Sequence, residues 1–210
     1  MPTIWLVVLL FVLSAIGFAL GRSRALQTAD GDARALHSLP VYYGLNVALT
    51  GLVPALGVLV VWVLAQPMII DTQVSGLIPA ALVPDNSTLG LVMSDVRRVA
   101  DGLDLAVATG GMTPEASVAL DASVVDVRAH LGALGVALGS DVRPEVLAAA
   151  QSYRAMTATG TMVMDVLVVL LALAGLAWAY SRTHKDFWAR NVVERGVLAL
   201  LILAASLAIL

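Results

Sequence analysis

The stretch Thr3–Gly21, TIWLVVLLFVLSAIGFALG, decides the fold, because it is either a removable leader or the first helix of a membrane protein. As a helix its 19 uncharged residues reach about 28 Å at a rise of about 1.5 Å per residue. That nearly matches a hydrocarbon core about 30 Å thick. A cleaved signal peptide starts with basic residues. Here none precedes the apolar run, and the first two, Arg22 and Arg24, follow it. The segment therefore reads as a retained helix, about 3–21, with its N-terminus outside.

The rest of the chain agrees. Its 210 residues are 60% hydrophobic and 13% charged, against about 25% charged in a soluble domain. Mean hydropathy is +0.91. A second span covers about 41–65 (VYYGLNVALTGLVPALGVLVVWVLA) and a third about 160–180 (GTMVMDVLVVLLALAGLAWAY). A fourth begins near Val192 and is unfinished at Leu210, which is expected to be a cut in a longer chain. Pro54 removes one backbone donor near the middle of the second span. A membrane helix tolerates that, with an expected kink.

Basic residues set the orientation. Residues 22–40 and 181–195 hold seven of the twelve Lys and Arg: Arg22, Arg24, Arg34, Arg182, Lys185, Arg190 and Arg195. Residues 66–159 hold five, with ten acids. Short loops rich in Lys and Arg face the cytoplasm, so 66–159 is expected outside. Phe187 and Trp188, among charges, point to a short helix in the inner interface.

The outside segment is expected to be helical. Residues 66–86 contain three prolines and read as an extended connector. Leu89, Val92, Val96, Val99, Leu103 and Val107 then recur at helical spacing, with Ser87 as N-cap and Gly110-Gly111 as stop. A second helix starts at Thr113-Pro114-Glu115 and carries Val118, Val125, Leu131 and Leu134 to about Leu138. A third resumes near Pro144 and runs through Leu147, Ala150, Tyr153 and Met156. The fold class is therefore all-α membrane protein. It has domains at 1–65 (a transmembrane hairpin), 66–159 (an extracytoplasmic helical domain) and 160–210. The last comprises a helix about 160–180, a cytoplasmic linker 181–195 and the start of a fourth span.

Composition excludes much chemistry. There is no cysteine, so there is no disulfide, thiol nucleophile or cysteine-held zinc. The single lysine, Lys185, lies in no GxxxxGK(S/T) sequence, so the chain is not a P-loop ATPase. The three histidines, His37, His130 and His184, show no ligand spacing. No catalytic, metal or cofactor residue is expected, and the chain reads as non-enzymatic.

Polar residues within the spans stand out. Asp165 lies inside the third, and an intramembrane carboxylate is a functional candidate by default. The plainer readings are outer-interface solvation or a hydrogen bond to a helix elsewhere. Asn46 and Thr50, one turn apart on the second span, read as an interhelical hydrogen-bond pair, with a transport path as the alternative. Arg190, Asn191, Glu194 and Arg195 are candidates for a cytoplasmic interface. Outside the membrane, Arg97 is expected to pair with Asp101, four residues on, and Arg98 to be solvated.

Three stretches also resemble a known family: GRSRA at 21–25, LHSLPVYYGLNVAL at 36–49 with LVPAL at 52–56, and FWARNVVERGVLALLILAASLAIL at 187–210. They are similar to the N-terminal extension of proteobacterial phosphate ABC transporter permeases of the PstC type. Leu39 stands where that family often has a basic residue. The resemblance implies a bacterial inner-membrane location. It also implies partners: a permease core, a second permease subunit, ATP-binding subunits and an extracytoplasmic phosphate-binding protein. It implies no phosphate-contacting residue in this chain. Two other readings remain open at this point, a membrane sensory input module and a small free-standing scaffold.

Overall fold

The computed structural model describes residues 3–79, 88–133, 135 and 141–209. Seven α-helices and one short 3-10 turn carry them: α1 Thr3–Thr28, the turn Ala33–Ala35, α2 Pro40–Ser75, α3 Leu89–Ala108, α4 Pro114–Ala119, α5 Val127–Ala133, α6 Pro144–Ser181 and α7 Ala189–Ile209. There is no strand among the described residues, and α1, α2, α6 and α7 are long and apolar enough to cross a membrane. The protein is all-helical and multi-pass. The chain divides into two compact units, Met1–Val63 with Thr161–Leu210, and Leu64–Gly160.

The first unit is the membrane unit. Leu6 and Leu10 of α1, Leu52, Ala55 and Leu59 of α2, and Met164, Val168 and Ala172 of α6 form its buried core. Their spacing of three, four and seven residues puts one stripe of each helix inward. The other faces are equally apolar and stay open, as at Ile4, Phe11, Val61 and Leu170. Lipid tails are as apolar as leucine, so hydrophobicity cannot choose the inward face here, and close packing must.

Glycines supply that packing. A Cβ on Gly44 would lie 2.7 Å from the Phe18 carbonyl oxygen, one on Gly21 2.9 Å from that of Tyr43, and one on Gly51 2.9 Å from that of Ala172. A Cβ on Gly17 would run into Leu176 Cδ2. Gly17 and Gly21 form a GxxxG pair on α1, the spacing that lets membrane helices touch at their backbones. α2 continues as helix through Pro54.

The second unit buries Ile70, Val74, Val92, Val96, Val99, Leu103, Ala106, Leu131, Leu147 and Ala150. α3 follows the expected stripe, although Leu89 at its start is exposed. It ends where expected: Gly110 takes φ +75°, a left-handed stop open to glycine, and the Met112 amide donates to the Ala106 carbonyl at 3.1 Å. The expected cap Ser87 lies outside the described residues. Thr88 takes the N-cap position without a side-chain capping bond.

Three expectations need correction. Residues 66–75 are helix rather than extended connector, because α2 runs on to Ser75; Ile70 and Val74, four residues apart, enter the core. Pro67 does not end it, since the missing amide removes one bond in a helix already stabilised by packing. The second helix of this unit breaks into α4 and α5. At the break, Asp121 Oδ1 accepts the Ser123 amide at 2.8 Å and the Ser123 hydroxyl at 2.7 Å. Asp126 Oδ1 accepts the Ala129 amide at 3.0 Å and so starts α5 afresh. Such short side chains compete with helix for backbone donors. The break leaves Val118 exposed, and Leu134 and Leu138 lie outside the described residues. Third, residues 183–188 are irregular backbone with a turn at 185–186 and α7 starts at Ala189, so Phe187 and Trp188 sit in no separate helix.

Candidate functional site

The polar features of the membrane unit gather at its arginine-rich end, where the α1–α2 loop meets the α6–α7 loop. The Lys185 carbonyl accepts two bonds, from the Tyr43 hydroxyl at 2.9 Å and from the His37 amide at 3.1 Å. One carbonyl has two lone pairs, so both bonds are compatible. The Tyr43 side chain is fully buried, with Ala25 and Ala189 around it. His37 and Trp188 bring their rings to 4.4 Å between centroids. Thr183, buried, caps the last turn of α6 by donating to the Ala179 carbonyl at 2.9 Å. The two loops are thus one joined structure.

Two arginines lie over aromatic rings beside this joint. The Arg24 guanidinium carbon stands 4.5 Å from the Tyr180 ring centre and that of Arg182 5.2 Å from the Trp178 ring centre. Between them is a cavity of about 450 Å³ lined by Arg24, Thr28, Ser181, Arg182, Thr183, His184 and Phe187. Arg24 Nε is buried and has no acceptor among the described residues.

The candidates named from the sequence are placed as follows. Arg190 and Glu194 form an exposed pair at 2.8 Å within α7; Asn191 and Arg195 are exposed beside them. Asn46 is buried, 2% exposed. Thr50 donates through its hydroxyl to the Asn46 carbonyl on its own helix at 2.7 Å rather than across helices. It marks a close approach instead, since a Cβ on Gly175 would fall 2.5 Å from the Thr50 carbonyl oxygen. Asp165 is half-buried on α6. Among the described residues no group of three or more His, Asp or Glu gathers to hold a metal ion.

In the second unit Arg97 does not pair with Asp101. It reaches Asp71 of α2 at 2.9 Å, because the extension of α2 brings that carboxylate to it. Arg98 pairs with Asp95 at 3.4 Å, both exposed. Arg154 bonds Asp104 at 2.7 Å and the buried Ser117 hydroxyl at 2.9 Å. Gln151 Nε2 lies within 3.0–3.2 Å of the carbonyls of Ser117, Val118 and Leu120 and holds the end of α4. These contacts tie elements together; they are not arranged as a reaction centre.

Sequence reasoning missed the glycine contacts and the loop joint. The GxxxG at 17–21 was a visible signal for the first. The second had none, because it joins groups far apart in sequence, the Tyr43 hydroxyl and His37 amide with the Lys185 carbonyl.

No curated protein and no solved structure matches the chain. One family model does, over residues 7–177, which run from α1 through the whole second unit into α6. That match covers most of the 210 residues, and the chain belongs to the family described as Phosphate ATP-binding cassette transporter (DUF3708).

Proposed function

We propose that the chain is a non-catalytic membrane module, the N-terminal part of the permease subunit of a phosphate ABC importer of the bacterial inner membrane. Its role is assembly or regulation of the importer. The observation that carries this is the family match across residues 7–177. It takes in the helices of the second unit as well as most of α1, α2 and α6.

The distribution of charge supports the orientation. The joined loops, with seven basic residues in 22–40 and 181–195, face the cytoplasm under the positive-inside rule, and residues 66–159 face the periplasm. The partners are a permease core, a second permease subunit, ATP-binding subunits and a periplasmic phosphate-binding protein. α7 is open for such contacts, with 6% of its apolar window buried inside the chain.

The test is phosphate uptake in phosphate-starved cells that lack this chain, together with co-purification of the ATP-binding subunits on it. Reduced uptake restored by the gene, with the subunits retained, is the expected result. Normal uptake in its absence refutes the reading. In the same assay Asp165→Asn separates a transport or assembly role, which lowers uptake or retention, from simple solvation, which leaves both intact.

A further inference from the structure

We propose that the membrane unit carries a binding site for one anionic phospholipid, with the headgroup phosphate at Arg24 and Arg182 and an acyl chain in the groove between α1 and α6. The inference uses the multi-pass character of the chain and not its proposed part in phosphate import.

The headgroup part is the basic cavity. Neither arginine pairs with a carboxylate among the described residues, and none of the residues that line the cavity is acidic. Each guanidinium is held against an aromatic ring. A planar donor fork is pre-organised and loses less freedom per hydrogen bond on binding phosphate. The hydroxyls around it are occupied as donors: Thr28 to Ala25, Ser181 to Trp178 and Thr183 to Ala179. The charge for an anion therefore comes from the arginines. The buried Arg24 Nε has no acceptor among the described residues, so the protein leaves one donor of this guanidinium without a partner.

The acyl part is a second cavity of about 450 Å³, lined by Leu13, Ile16, Gly17, Leu20, Val47, Leu173, Leu176, Ala177 and Tyr180. It is apolar apart from the Tyr180 hydroxyl, and Tyr180 is the ring on which Arg24 lies. On α1 the lining residues 13, 16, 17, 20, 24 and 28 form one helical stripe. From Leu13 to Leu20 it descends about 10 Å, within one leaflet's share of a core about 30 Å thick. A cationic pocket beside an apolar groove, with Arg24 of the one set against Tyr180 of the other, fits a phospholipid and does not fit a free anion alone. Basic pockets between membrane helices are where anionic headgroups bind.

The experiment uses the full chain in phosphatidylcholine nanodiscs with spin-labelled phosphatidylglycerol or spin-labelled phosphatidylcholine as trace lipid. The expected result is preferential immobilisation of phosphatidylglycerol, reduced about tenfold by Arg24→Gln or Arg182→Gln through loss of a charge-assisted bond. Arg34→Gln, at the same end but outside the cavity, keeps the preference. Ala177→Phe fills the groove without removing charge and lowers it. Should Arg24→Gln not fold, Arg182→Gln and Ala177→Phe decide. Equal immobilisation of both lipids by the wild type overturns the proposal, as does equal loss in Arg34→Gln. Arg24-dependent binding of inorganic phosphate without any lipid preference also overturns it, by making the ligand a free anion. Phosphate uptake enters none of these readouts, so this site and the importer reading fail separately.

Discussion

Gly175 of α6 faces the carbonyl oxygen of Thr50 on α2 so closely that a Cβ on the glycine would stand 2.5 Å from that oxygen and 2.9 Å from Gly51 Cα. Both obstacles are backbone, which cannot rotate away. Gly175→Ala must push the two helices apart and is expected to cost about 1–3 kcal/mol, the usual range for overpacking. Gly17→Ala meets only the tip of the Leu176 side chain first and is expected to cost less. Unfolding of the two variants in mixed micelles, followed by tryptophan fluorescence, orders them; equal midpoints would show that the approach carries no packing energy.

The loop joint predicts a local effect. Tyr43→Phe keeps the ring in place and removes one of two bonds to the Lys185 carbonyl. The expected cost is about 0.5–1.5 kcal/mol. Faster amide exchange is expected across 182–188, with little change in the second unit. Unchanged exchange in that loop would refute the joint.

The ion pairs of the second unit are unequal. Arg97 and Asp71 are both well exposed, at 41% and 36%, so Arg97→Ala is expected to cost about 0–1 kcal/mol. Arg154 is 15% exposed and holds both Asp104 and the buried Ser117 hydroxyl. Arg154→Ala removes both bonds and is expected to cost about 1–3 kcal/mol. Chemical denaturation of the two variants tests the order.

The turn at 121–123 carries a pH effect of known sign. Hydrogen bonds from the Ser123 hydroxyl and amide hold the Asp121 carboxyl below its ordinary 3.8. A group lowered on folding contributes stability above its unfolded value, and that contribution is lost as pH falls through the folded value. Acidification below the ordinary carboxylate range is therefore expected to loosen this turn, and Ser123→Ala to bring the carboxyl back toward 3.8. Carbon-13 titration of the aspartates reads both.

Particular residues show how far the sequence was legible. The stop at Gly110 and the start at Thr113-Pro114 were readable because each is a local event. Gly110 takes a left-handed φ, and the Thr113 hydroxyl accepts the Ala116 amide three residues on at 3.2 Å. The end of α2 was misjudged because Pro67 is a breaker only where packing does not override it, and Ile70 and Val74 pack. The partner of Arg97 was misjudged for the same reason: Asp71 came into reach once the helix ran past residue 65. Of the candidate site, the basic residues at the two loops were legible, but the placing of Arg24 over Tyr180 and Arg182 over Trp178 was not.

By itself the sequence determined that the chain is helical and crosses the membrane more than once. Those properties follow from the length of its apolar runs, and each helix satisfies its own backbone bonds whatever its neighbours do. Which face of each helix turns inward was decided only by the tertiary structure. In the spans apolar residues occupy every side, so the choice rests on where Gly17, Gly21, Gly44, Gly51 and Gly175 let backbones meet. The same holds for the loop joint and the basic cavity, which exist only because packing brings Tyr43 to Lys185 and places Arg24 on Tyr180.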